Sequence, residues 1–259
     1  MSWLRDWLDE HPAPPKQAGP WGIDLSYSQI RAYLSCPWLY KLRYKDLRRS
    51  PLHPPAALGL SIHRTLEAFH RKDGGDCTAL LEQYEANWVS AGFPSPQEQM
   101  QWHAKGIEIL KTYWESEKDS KNKIVAVERE FLFPLGAHNV RGMIDRIDRR
   151  PDGSIEVIDY KSFSETLTEE EAAEDLQLRI YGLAAVASLN LEPDWLSFYY
   201  VGVPKKVTVP YDAGREDELE EFLGRMGDLL SWGKGWCPDT SCCGRCDFRN
   251  LCPHSTARD

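Results

Sequence analysis

Three stretches in the middle of the chain leave the fewest options for folding. "KIVAVEREFLFPL" (123–135), "HNVRGMIDRIDRR" (138–150) and "SIEVIDYKSF" (154–163) each read as a strand, the first and third being rich in β-branched and aromatic residues. "PDG" between the second and third is a hairpin signal, which makes those two strands antiparallel neighbours.

On either side the period changes to that of helices. Leu58, Ile62, Leu66 and Phe69 repeat at helical spacing over 56–72, and further helical stretches cover 77–91 and 96–118. Upstream, Ser26-x-x-Gln29 is a capping-box pattern, and Pro37 breaks the helix it opens and starts another. Downstream come a helix over 169–189, strands at 195–203 and 205–211, and a helix over 217–235. This order predicts an α/β fold: a mixed central sheet flanked by helices, with one crossover helix. One domain is expected over 25–259, with a helical insertion at about 56–118 and a cysteine-rich segment at 236–253. Residues 1–24 read as a tail and proline-rich linker, with Trp3, Leu4, Trp7 and Leu8 on one side of a short helix.

Composition narrows the class. At 259 residues the chain can bury a substantial core. No apolar run approaches the roughly 18–20 residues of a membrane span, so no membrane partner is expected. The start, "MSWLRDWLDEHPAPP", is mixed in charge and lacks the apolar region of a secretory signal. Seven cysteines without such a signal point to a metal or cluster in a reducing, cytoplasmic setting. The net charge of −9 argues against indiscriminate coating of nucleic acid, though basic residues can still act locally.

The candidate chemistry lies in "GMIDRIDRRPDGSIEVIDYKSF". Asp159 and Lys161 are two apart on a strand and share a face, with Ile158 and Tyr160 on the other. Asp145 lies on the neighbouring strand, across the hairpin. Two carboxylates at one strand end suit a hard divalent cation such as Mg²⁺, and a lysine beside it can orient or deprotonate a water. A lone D-x-K triplet is ordinarily two solvated groups on a half-exposed sheet, so further residues have to support the reading. Gln177 and Tyr181 are i and i+4 on one helix face. His63, Glu67 and His70 fall at i, i+4 and i+7 of another helix.

The chain nearly ends with "SCCGRCDFRNLCP". Cys243-x2-Cys246-x5-Cys252 offers three thiolates, one short of what an iron–sulfur cluster or a structural zinc usually takes. Cys242 is adjacent to Cys243 and would be strained as the fourth; Cys36, in "LSCPWLY", is the better candidate. Cys77, Cys237 and Cys242 are left over.

The ordered set Gly59-x-x-x-His63, Gly142-x-x-Asp145, Ile158-Asp159-Tyr160-Lys161 and Gln177-x-x-x-Tyr181 resembles the RecB-type branch of the PD-(D/E)xK nuclease superfamily, whose fold is restriction-endonuclease-like. "LSYSQIRAYLSCPWLYKLRY" and "CGRCDFRNLC" resemble the two ends of its cluster-bearing members, which include the AddB-type and CRISPR-adaptation exonucleases. The resemblance implies that His63, Asp145, Asp159 and the carbonyl of Tyr160 hold Mg²⁺ or Mn²⁺, and that Lys161 is the catalytic lysine. Gln177 and Tyr181 would support it. Cys36, Cys243, Cys246 and Cys252 would hold a 4Fe–4S cluster, with zinc in the same cysteines as the alternative. One departure is Asp159, where many relatives have Glu; Asp is an allowed variant in that branch.

The implied activity is a metal-dependent DNA nuclease, an exonuclease favouring single strands or ends in DNA repair or recombination. The alternative is a catalytically dispensable iron–sulfur module that binds DNA ends or acts as a scaffold for a helicase or repair complex. Arg141, Arg146, Lys205 and Lys206 are candidate grips on the strand.

Overall fold

The structure, a computed structural model, describes residues 3–14, 22–162 and 165–257. The elements in chain order begin α1 (Trp3–Glu10), β1 (Asp24–Leu25), α2 (Tyr27–Ser35), α3 (Pro37–Tyr40), α4 (Pro54–His70), α5 (Cys77–Asn87) and α6 (Pro96–Glu117). They continue β2 (Lys123–Leu135), β3 (His138–Arg149), β4 (Ile155–Lys161), α7 (Glu169–Ala173), α8 (Leu176–Leu189), β5 (Trp195–Tyr200), β6 (Lys205–Pro210) and α9 (Glu216–Trp232). Most of the proline-rich linker and the end of the third predicted strand, Phe163, lie outside the described residues. The chain divides into two compact units. One comprises Met1–Pro51, Leu132–Gly142 and Gly214–Asp259, and the other Leu52–Phe131 and Met143–Ala213.

The second unit carries the mixed sheet, in the order β3-β4-β5-β6 with β2 beside β3. The "PDG" turn forms as expected: Gly153 takes φ +93°, and the Arg150 N–H reaches the Ser154 carbonyl at 2.8 Å. Strands β3 and β4 are antiparallel, with Arg146 opposite Ile158. Strands β4 and β5 are parallel, as a helical crossover requires. One face of β4 and β5 sends Ile158, Tyr160 and Tyr199 into a core formed with Leu58, Ile62 and Leu66 of α4, Tyr84 of α5 and Tyr113 of α6. The helices at 54–117 therefore form the layer packed on the sheet. Helix α8 also lies on β4 and β5, and Gly182 makes room there: a Cβ would stand 3.3 Å from Leu196 of β5 and 2.5 Å from the ring of Tyr211, just past β6.

The crossover is two helices, where the periodicity predicts one. A Thr168–Glu171 capping box opens α7, and Asp175 then caps α8 by accepting from the Gln177 and Leu178 N–H groups. A side chain that satisfies two orphan N–H donors starts a new helix even inside an apolar, helix-prone run.

In the first unit, Ser26 and Gln29 form the expected capping box of α2. Pro37 begins α3, leaving Cys36 extended between the two helices at φ −170°. The Trp3/Trp7 helix lies on α9: Leu4 and Leu8 are buried, and both indoles meet the Phe222 ring edge-on. Strand β1 pairs in parallel with the first residues of β3. Among the described residues no helix is long and apolar enough to cross a membrane.

Candidate metal centre and active site

The β3–β4 register, continued one step past Arg146 and Ile158, sets Asp145 beside Asp159. Asp145 Oδ2 accepts the backbone N–H of Tyr160 at 2.8 Å, which pins the carboxylate against β4. Lys161 Nζ stands 2.6 Å from Asp159 Oδ2 and donates to Gln177 Oε1 at 2.7 Å. The same amide, through Nε2, donates to Asp159 Oδ1 at 2.7 Å and to the Tyr181 hydroxyl at 3.0 Å. Gln177 thus ties Asp159 and Lys161 together from the first turn of α8. Its position there follows from the Asp175 cap, which restarts the helix two residues earlier. Helix α4 brings His63, whose Nδ1 is 3.5 Å from Asp145 Oδ2.

The sequence reading missed one residue. Glu128 of β2 offers a carboxylate oxygen that lies with ligand atoms of His63 and Asp145 inside a 4.8 Å span. In β2 Ile124 and Ala126 are inward, on even positions, whereas Phe131 and Phe133 are buried on odd ones. The change of phase falls at Glu128, whose φ of +45° lies outside strand geometry. A regular strand facing inward at Phe131 and Phe133 would turn Glu128 outward. The phase change is visible in "KIVAVEREFLF" only once the backbone at Glu128 is known, because Val and Ile also occupy exposed positions.

The electrostatics describe a site with too much negative charge for its depth. Burial, with Asp145 alongside, pushes the Asp159 carboxyl up to about 7, against the pull of Lys161. Burial raises Asp145 to about 6 and Glu128 to about 8, the latter with Asp145 adding to the effect. Burial pushes the His63 imidazole down, so it is neutral and keeps a lone pair for coordination. Asp159 Oδ2 is fully buried, and its partner is the Lys161 ammonium at 2.6 Å. The carboxyls of Asp145 and Glu128 and the neutral imidazole of His63 fit a divalent cation with oxygen and nitrogen ligands, while Asp159, beside Asp145, is held by Lys161 and Gln177 and stands outside that group of three.

A family model described as the PD-(D/E)XK nuclease superfamily matches residues 24–253. The chain belongs to the PD-(D/E)XK nuclease superfamily. It is similar to the Gene 69 protein of Mycobacterium phage D29, with 26% identity over 88% of this chain and 96% of the phage protein. The solved structure of SSO0001 aligns over 98% of this chain and 95% of its own, at 15% identity and a TM-score of 0.41, too loose a likeness to bear on the fold. Membership in a nuclease superfamily whose members use divalent metals accords with the excess of buried carboxyls at the site.

The grip candidates fare differently. Arg146 is 3% exposed and is paired with Asp148, so it cannot hold a strand. Lys206 lies 3.3 Å from buried Glu156. Arg141 and Lys205 are exposed. Six of the seven cysteines, all but Cys77, lie in the first unit, and none of the seven forms a disulfide. Cys36, Cys242, Cys243, Cys246 and Cys252 line a single small cavity with the apolar side chains of Leu39 and Leu42. Cys242, left over in the sequence reading, shares it. The Asp239 N–H already points at Cys36 Sγ, at 3.3 Å.

These carboxyl shifts predict a pH dependence. Unfolded carboxyls ionise near pH ~4. The folded values are about 6, 7 and 8. The metal-free fold therefore holds extra protons between these limits. Its contribution to stability is full below about pH 4 and is lost as pH rises through about 6 to 8. A cation competes with those protons, so Mn²⁺ affinity should climb steeply from pH 5.5 to 8 and then level. Calorimetric titration across that range measures it; a flat affinity would show that these carboxyls are not the ligands.

Proposed function

We propose that this protein is a RecB-type, metal-dependent deoxyribonuclease that acts as an exonuclease on single-stranded DNA or DNA ends. The observation that carries the reading is the Gln177 bridge, one amide holding Asp159 and Lys161 beside Asp145 and His63. His63, Asp145, Asp159 and the Tyr160 carbonyl would hold Mg²⁺ or Mn²⁺, with Glu128 as a further carboxylate. Bound there, the ion supplies Lewis acidity and neutralises charge that builds on the phosphate. Lys161 orients the water that attacks the phosphodiester in line. Gln177 keeps the ammonium aimed, and Tyr181 holds the far end of the amide. Cys36, Cys243, Cys246 and Cys252 hold a 4Fe–4S cluster in the first unit, and the proposed setting is the cytoplasm. A helicase or repair complex is the proposed partner.

The strand preference rests on charge. A chain at −9 suits a local basic track better than a broad duplex-binding face, whose many phosphate contacts need a positive surface. Linear single-stranded DNA should be degraded faster than blunt duplex, and closing the strand into a circle should slow cleavage sharply. Initial rates on the three substrates, of equal length and at equal salt, with and without Mg²⁺ or Mn²⁺, test this. Equal rates on line and circle would mean an endonuclease, and no cleavage with either metal would remove the enzymatic reading.

A further inference from the structure

Three elements bring ligand candidates to the metal centre: α4 with His63, β3 with Asp145, and β4 with Asp159 and the Tyr160 carbonyl. Each sends a second polar side chain to a buried cluster centred on the Tyr113 hydroxyl of α6. From α4 comes His70, two turns beyond His63, with Nε2 at 2.7 Å from that hydroxyl. From β3 comes Arg146, next to Asp145, donating through Nη1 at 3.0 Å. From β4 comes the Tyr160 side chain, its hydroxyl at 3.0 Å.

The proton count closes. The Tyr113 hydroxyl has one hydrogen and two lone pairs. Arg146 donates to it, and its one hydrogen and remaining lone pair are shared between His70 Nε2 and the Tyr160 hydroxyl, which lie 3.4 Å from each other. Arg146 is itself fixed: Nε and Nη2 reach Asp148 at 2.6 Å each, and Nη1 reaches Glu117 at 3.0 Å. Asn122 Nδ2 adds a hydrogen bond to Asp148 at 3.2 Å. Apolar residues of similar volume would pack such a layer at least as stably as buried charges do. What a polar hub adds is direction, because each bond is made in one register only.

We propose that Tyr113 is a positioning residue: its hydroxyl locks α4, β3 and β4 in the one register in which His63, Asp145 and the Tyr160 carbonyl converge. This rests on the metal-centre reading above. Outer groups that orient ligands typically change metal affinity by about 10–100-fold.

The test compares two Tyr→Phe variants from the same apolar layer. Tyr113→Phe removes the hub hydroxyl. Tyr84→Phe removes a hydroxyl whose hydrogen bond, to the His103 carbonyl at 3.2 Å, lies outside the three ligand-bearing elements. Mn²⁺ binding is followed by the loss of the free-ion paramagnetic resonance signal, and the spectrum of the bound ion reports its ligand geometry. Tyr113→Phe should bind Mn²⁺ about 10–100-fold more weakly, with an altered bound spectrum, while Tyr84→Phe matches the unmodified protein. Unchanged binding in Tyr113→Phe, or equal weakening in both variants, overturns the proposal. If Tyr113→Phe does not fold, the pair His70→Gln and His70→Leu replaces it. Gln retains an acceptor and should keep most of the affinity that Leu loses; equal affinities overturn the proposal. Unmodified protein that binds no Mn²⁺ overturns the metal centre itself, a result distinguishable from all of these.

Discussion

Lys161→Ala should lower DNA cleavage by about 10²–10⁴-fold while leaving Mn²⁺ binding intact. The two effects separate because lysine is a donor and no ligand for a hard cation. Removing the ammonium also removes a positive charge 2.6 Å from Asp159 Oδ2, so Mn²⁺ should bind as well or better. Asp159→Ala should abolish cleavage to a similar degree but by the other route, weakening Mn²⁺ binding by more than about tenfold. Single-turnover cleavage paired with metal titration distinguishes the two. A Lys161→Ala protein that cuts at the normal rate would rule out the proposed mechanism. Loss of metal binding in that variant would show that its effect is structural.

The second large effect is expected at Cys36. Protein prepared without oxygen should be brown, with iron and labile sulfide, and Cys36→Ser should bleach it. The four proposed ligands join segments about two hundred residues apart in sequence. A cross-link closing a loop of that length stabilises by about 5 kcal/mol in the chain-entropy model. Loss of a metal centre that forms only on folding removes stability of that order, so the melting temperature should fall well below that of the intact protein. Cys242→Ser is the informative partner variant, because Cys242 lines the same cavity. Bleaching in Cys242→Ser with colour kept in Cys36→Ser would exchange the two assignments. A colourless protein holding one zinc would replace the cluster altogether.

Asp145, Asp159 and Lys161 were legible in the sequence because local rules place them. Two residues apart on a strand means one face, and a hairpin turn at "PDG" means neighbouring strands; both hold in the β3–β4 pairing. Gln177 and Tyr181 were legible as an i, i+4 pair, and they meet at 3.0 Å. The break at Asp175 was missed: Asp175 is a good cap, but nothing in the apolar run marks where a cap will be used. Arg146 was misread as a surface grip because its charge is local information, whereas its burial depends on Tyr113, Glu117 and Asp148 arriving around it.

Periodicity, turn chemistry and residue spacing determine which elements form and which side chains share a face, since each acts over a few neighbouring residues. They were sufficient for the mixed sheet, the flanking helices and the pairing of Asp145 with Asp159. Glu128 sits at the site with φ +45°, a conformation that costs a non-glycine residue roughly 1 kcal/mol or more and persists only where the surrounding packing holds it. The gathering of five thiols on one cavity likewise depends on chain segments distant in sequence. Those outcomes belong to the tertiary structure, because burial and strain are set by what lies across the core, and no local pattern encodes it.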